Sequence, residues 1–135
     1  MATARIRGKW LLSLSVHESV SPLTPRSIAQ AELDVHTATR AGLSGELRIG
    51  QQAVPVKGRV KPGSPAVITL SEALGVGKSA GDGLQAILYI PPWWPNVDYS
   101  YDLISGTLVV GESSALQDKG LRRRIISVTG VQPFE

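Results

Sequence analysis

The chain has 135 residues, enough for one domain with a substantial core and too few for two comfortable ones. Its 42% hydrophobic content, 14 glycines, 9 prolines and only 19% charged residues exclude a disordered chain and suit short strands joined by tight turns better than a helical bundle. A net charge of +3 falls well short of the basic runs that track nucleic acid, and the absence of cysteine excludes disulfides and thiolate sites.

Apolar residues recur with a period of two, the spacing of half-buried strands. Trp10, Leu12, Leu14 and Val16 alternate with Leu11, Ser13 and Ser15. A loop over 17–27 carries Ser21-Pro22 and Thr24-Pro25, and then Ala31, Leu33 and Val35 alternate with Gln30, Glu32, Asp34 and His36. Leu43, Gly45, Leu47 and Ile49 form a third strand, and Val54, Val56, Gly58 and Val60 a fourth, with a hairpin around Gly50-Gln51-Gln52 between them. A fifth strand spans 66–70. The segment 71–83 follows, with room for one helical turn over 71–74 ended by Gly75. The sixth strand, 84–90, also carries Ile87 and Tyr89 on its outer face. A proline-stiffened loop over 91–100 precedes strands at 101–110 and 121–129. These eight segments predict a single all-β domain over 1–135, an eight-stranded antiparallel up-and-down barrel, with a β-sandwich as the alternative. In such a meander the loops at 17–27 and 71–83 share one end, opposite the loop at 91–100.

A short internal repeat runs through this pattern. Leu43-Ser44-Gly45-Glu46-Leu47-Arg48-Ile49-Gly50 recurs as Ile104-Ser105-Gly106-Thr107-Leu108-Val109-Val110-Gly111, and Lys57-Gly58 and Lys119-Gly120 follow the two copies. Gly45 and Gly106 fall inside strands, where glycine marks a sharp bend or a close approach of another backbone.

Gly8-Lys9-Trp10 opens the first strand, and Val97-Asp98-Tyr99 lies in the connection before the seventh. In motif and order this resembles the calycin superfamily, above all lipocalins, with Gly-x-Trp on the first strand and Thr-Asp-Tyr between the sixth and seventh. Avidin-like barrels share the Gly-x-Trp start. The resemblance implies a barrel enclosing a hydrophobic cup. Val97 stands where that family has Thr, and the family's Arg late in the last strand has no counterpart at that place, since Arg122, Arg123 and Arg124 come early.

No catalytic, metal or nucleotide motif emerges. Gly75-Val76-Gly77-Lys78-Ser79 lacks the glycine five positions before Gly77 that a phosphate loop needs, since Glu72 stands there, and no helix is expected to follow. His17 and His36 fall at opposite ends of a meander, so neither a zinc site nor an oriented general base can be built from them. Asp98 and Asp102 border a strand as an ordinary solvated pair would. The expectation is a protein without enzymatic activity, cofactor or metal. No signal-like h-region follows Met1 and no run of about 20 apolar residues exists, so the chain is expected to be cytoplasmic and without a membrane span.

Two functions compete. In the first, Leu12, Leu14, Leu33, Leu47, Val56, Leu84 and Leu88 face inward and hold a small hydrophobic ligand, although the same residues serve equally to fill the barrel. In the second, Trp93 and Trp94, stiffened by Pro91, Pro92 and Pro95 and followed by Tyr99, dock a protein partner or another copy of the chain. Arg48, Lys57, Arg59 and Lys61 share one hairpin face, but Glu46 interrupts them, which disfavours nucleic acid.

Overall fold

Eight strands follow one another around the molecule: β1 (Gly8–His17), β2 (Pro25–Thr39), β3 (Gly42–Ile49), β4 (Gln52–Lys61), β5 (Ala66–Glu72), β6 (Leu84–Ile90), β7 (Tyr101–Val110) and β8 (Ile125–Pro133). The computed structural model describes residues 6–17, 25–39, 41–63, 65–73, 83–91, 101–112, 114–116 and 124–133. Each strand pairs antiparallel with the next, and β8 returns to β1 through Leu14↔Val128 and Leu12↔Gly130, so the sheet closes into an up-and-down barrel. Closure leaves no sheet edge and rules out the sandwich.

The strand boundaries differ from expectation in three places. β2 begins at Pro25, inside the expected loop, because its first residues pair with the end of β1 (Val16↔Arg26, His17↔Pro25). A proline is tolerated as the first residue of a strand, where its missing N–H costs least. β5 continues through Ser71 and Glu72, which removes the helical turn expected there. β8 runs from Ile125 to Pro133, starting and ending four residues later than expected, with Ile126 and Val128 buried on the inner face.

Inward side chains form one core. A row across four strands, Trp10–Leu33–Leu47–Val54, joins residues that are directly opposite in register and all buried. The end at which β1 begins, the base, is closed by Ile6, which is fully buried and whose carbonyl oxygen accepts a 2.9 Å hydrogen bond from Trp10 Nε1. At the top, Leu116 from the β7–β8 connection is also fully buried. Its position depends on Glu72, a buried carboxylate whose two oxygens accept the backbone N–H groups of Leu84 (3.0 Å) and Ala115 (2.8 Å). A charge this deeply buried is tolerable because both oxygens are hydrogen-bonded.

The repeat has a structural meaning. β3 and β7 lie four strands apart in an eight-stranded ring, on opposite walls. A Cβ at Gly45 would collide with the Asp34 carbonyl oxygen, and one at Gly106 with that of Ile87. Both are places where a neighbouring strand crosses too closely for any side chain, as barrel coiling requires. Lys119-Gly120, the end of the second repeat, falls outside the described residues.

Candidate functional site

All seven residues expected to form the cup do face inward, with exposures between 0 and 4%. A ligand-sized void would leave its lining accessible to water, so side chains this inaccessible belong to a packed core. Trp93, Trp94 and Tyr99 lie outside the described residues, as do Asp98 and the Gly75–Ser79 segment. Asp102, expected to be solvated, is buried at the base opposite Gln132 in register. His36 is exposed, 3.7 Å from Asp34 on the same strand, while His17 ends β1 at the top. Among the described residues, no group of three or more His, Asp or Glu side chains converges.

The outside of the barrel divides into two unlike sides. On the first, from Lys9 through β2 and β3, charges of both signs pair across or along strands: Lys9 Nζ lies 3.6 Å from Glu32, and Arg48 Nη2 donates to Glu46 Oε1 at 3.1 Å. β4 continues this side with Lys57, Arg59 and Lys61, which stand opposite Ser71, Thr69 and Val67 in register. Such exposed pairs contribute about 0–1 kcal/mol each, so they keep this face solvated more than they hold it together.

On the second side, β5 to β8 and β1 from Leu11 onward, no outward-facing described residue within the strands carries a charge. The exposed large apolar side chains among the described residues all sit here: Leu11, Ile87, Tyr89, Leu103, Val109 and Ile125, the last 75% exposed. Four of them fall into apolar rows, whereas Ile87 and Tyr89 on β6 stand beside Thr107 and Ser105. At the base Leu103, Val131 and Leu11 are neighbours in register on β7, β8 and β1, and at the top Val109 faces Ile125. Two hydroxyl rows separate them, Ser105–Thr129–Ser13 and Thr107–Ser127–Ser15.

A cleft of about 970 Å³ opens on this side. Leu11, Leu103 and Val131 line it together with Ser13, Ser105 and Thr129, and Glu32 and Arg48 mark its charged border. Of the seven expected ligand residues only Leu12 reaches it. Pro91, the last described residue before 92–100, also lines it.

The closed up-and-down barrel is consistent with calycin-type topology. No family model matches the chain, and no curated protein or solved structure matches it either. Gln132 near the end of β8 donates through Nε2 to the Arg7 carbonyl oxygen at 2.8 Å.

Reading the inward half of each alternation could not find the uncharged wall. Its signal was the outward half: Leu103, Ser105, Thr107 and Val109 on β7 contain no charge, in contrast to Glu46, Arg48, Lys57 and Arg59 on the outward face of β3 and β4.

Proposed function

We propose that this protein is a non-catalytic docking module that works through the outside of its barrel, the uncharged wall of β6, β7, β8 and β1. The carrying observation is the segregation of every exposed large apolar side chain among the described residues to that wall. Isolated apolar residues on a surface are ordinary, whereas a contiguous patch without charges is characteristic of an interaction face. The wall's strands β6 and β7 flank the segment 92–100 that carries Trp93 and Trp94 in the sequence.

Site-specific photocrosslinking in cells producing the protein tests this reading. A crosslinker at position 125 or 103 is expected to trap a protein, and the trapping is expected to disappear when Leu11→Asp is added. The same crosslinker at position 59 is expected to trap nothing. Equal trapping from positions 125 and 59 would contradict the reading.

A second reading keeps a small ligand, placed in the outer cleft and not in the core. It is favoured by the 970 Å³ volume and by the mixture of aliphatic and hydroxyl lining, which suits a molecule with both apolar and hydrogen-bonding parts. Native mass spectrometry of freshly purified protein separates the two, because a monomer with added small-molecule mass, displaced by Leu103→Asp, supports the ligand and not the docked protein.

A further inference from the structure

The wall repeats its own pattern under reversal. From base to top the outward residues of β7 are Leu103, Ser105, Thr107 and Val109, which is apolar, hydroxyl, hydroxyl, apolar. β8 runs the other way with Ile125, Ser127, Thr129 and Val131, the same order of chemistry. The register sets like beside like in all four rows: Leu103↔Val131, Ser105↔Thr129, Thr107↔Ser127 and Val109↔Ile125. β1 extends the lower three rows with Leu11, Ser13 and Ser15.

This pattern is compatible with an isologous interface. When two copies meet face to face about a two-fold axis lying in the interface, each row must be compatible with the row the symmetry lays on it. An axis along the strands sets each apolar row on itself, and an axis across them sets the base row on the top row. Over β7 and β8 both place aliphatic on aliphatic and hydroxyl on hydroxyl, while β6 at the margin sets Ile87 and Tyr89 beside the hydroxyl rows. A partner of different sequence would impose no such symmetry on this surface. The geometry points to a second copy of this chain as the occupant of the wall, packed face to face about a two-fold axis that passes near the hydroxyl rows of β7 and β8. This inference rests on the docking reading above and names its partner.

Charge favours the same arrangement. The chain carries a net +3, and two copies approaching through β2 to β4 would set Lys57, Arg59 and Lys61 near their own images or require a mismatched register. The wall brings no like charges together. Its size indicates the strength to expect. Four strands at about 4.8 Å and seven residues at about 3.3 Å span a face on the order of 400–500 Å² per copy. Two such faces approach the roughly 1,000 Å² at which specific interfaces begin, so a reversible dimer of about micromolar affinity is expected, not an obligate one. The aliphatic rows supply the burial, and the hydroxyl rows can exchange hydrogen bonds across the interface without leaving a buried charge.

Sedimentation equilibrium over a range of concentrations, combined with complementary charges at one position, tests the proposal. The wild-type chain is expected to sediment between one and two times its 14.4 kDa mass and to reach the dimer on the order of 100 µM. Thr129→Asp and Thr129→Lys, each checked for an unchanged melting temperature, are expected to weaken dimerisation by at least about tenfold, because symmetry brings the new charge close to its own image. An equimolar mixture of the two variants is expected to recover a mixed dimer of at least wild-type affinity. A wild-type monomer throughout, or a dimer indifferent to both charges, would overturn the proposal. The crosslinking experiment distinguishes this failure from failure of the docking reading: wall-dependent trapping of a protein of another mass overturns the second copy as partner and leaves the docking wall standing.

Discussion

The side of the barrel formed by β2, β3 and β4 and the side formed by β6, β7 and β8 are built alike on the inside and unlike on the outside. Inward, both present Leu, Ile and Val with a glycine at the close crossing, Gly45 and Gly58 on one side and Gly106 and Gly130 on the other. Outward, one presents paired and unpaired charges and the other aliphatic and hydroxyl rows. Barrel closure constrains the inward residues of both sides equally, since they share one core, and leaves the outward residues free. The difference on the outside is what the proposed docking of one side accounts for. A face that meets water gains from charge, and a face that meets protein gains from its absence.

The largest expected effect breaks both sides at once. Gly106→Ala drives a Cβ into the Ile87 carbonyl oxygen and Gly58→Ala drives one into that of Thr69, so each is expected to cost about 4 kcal/mol or more in urea unfolding, or to prevent folding. Similar losses from opposite walls would establish that the two sides share a single core. Next, Trp10→Ala is expected to cost about 3–5 kcal/mol, because it removes the largest core side chain and its bond to Ile6. Glu72→Ala follows at about 2–4 kcal/mol, since the buried N–H of Leu84 and that of Ala115 lose their acceptors. A Glu72→Ala protein as stable as wild type would show that the top is not held by this carboxylate.

The remaining predictions sharpen the contrast between the two outer faces. Ile125→Asp is expected to leave unfolding within about 0.5 kcal/mol of wild type while abolishing association, because the side chain is 75% exposed in the single barrel. Glu46→Ala, which removes the carboxylate paired with Arg48, is expected to change stability by less than about 1 kcal/mol and association not at all. If Glu46→Ala were the variant that dissociated the protein, the assignment of the two faces would be reversed.

The sequence was most legible where turn residues bounded a strict alternation. β6 and β7 have the expected boundaries because Gly83, Pro91 and Gly111 flank them. β8 was harder to place, since Gly120 offers a turn signal just before Leu121 and nothing over 121–124 marks a later start. That four-residue displacement also hid the likeness between β7 and β8, which emerges only once Leu103 is set opposite Val131. Asp102 reads as solvated from its neighbours, but its place in β7 turns it inward beside Gln132. Glu72 was illegible for a different reason. Its partners come from 12 and 43 residues further along the chain, and no local pattern announces a carboxylate that holds two connections together. Of the uncharged wall, Ile87 and Tyr89 were visible as apolar outward residues, whereas the absence of charge across neighbouring strands becomes visible only when the barrel places those strands side by side.

The most direct measurement is the concentration dependence of backbone amide chemical shifts in solution. On dilution, changes are expected at residues of β7, β8 and the Leu11–Ser15 part of β1, with β3 and β4 unaffected. Changes centred on Lys57, Arg59 and Lys61, or none at any concentration, would contradict association through the uncharged wall.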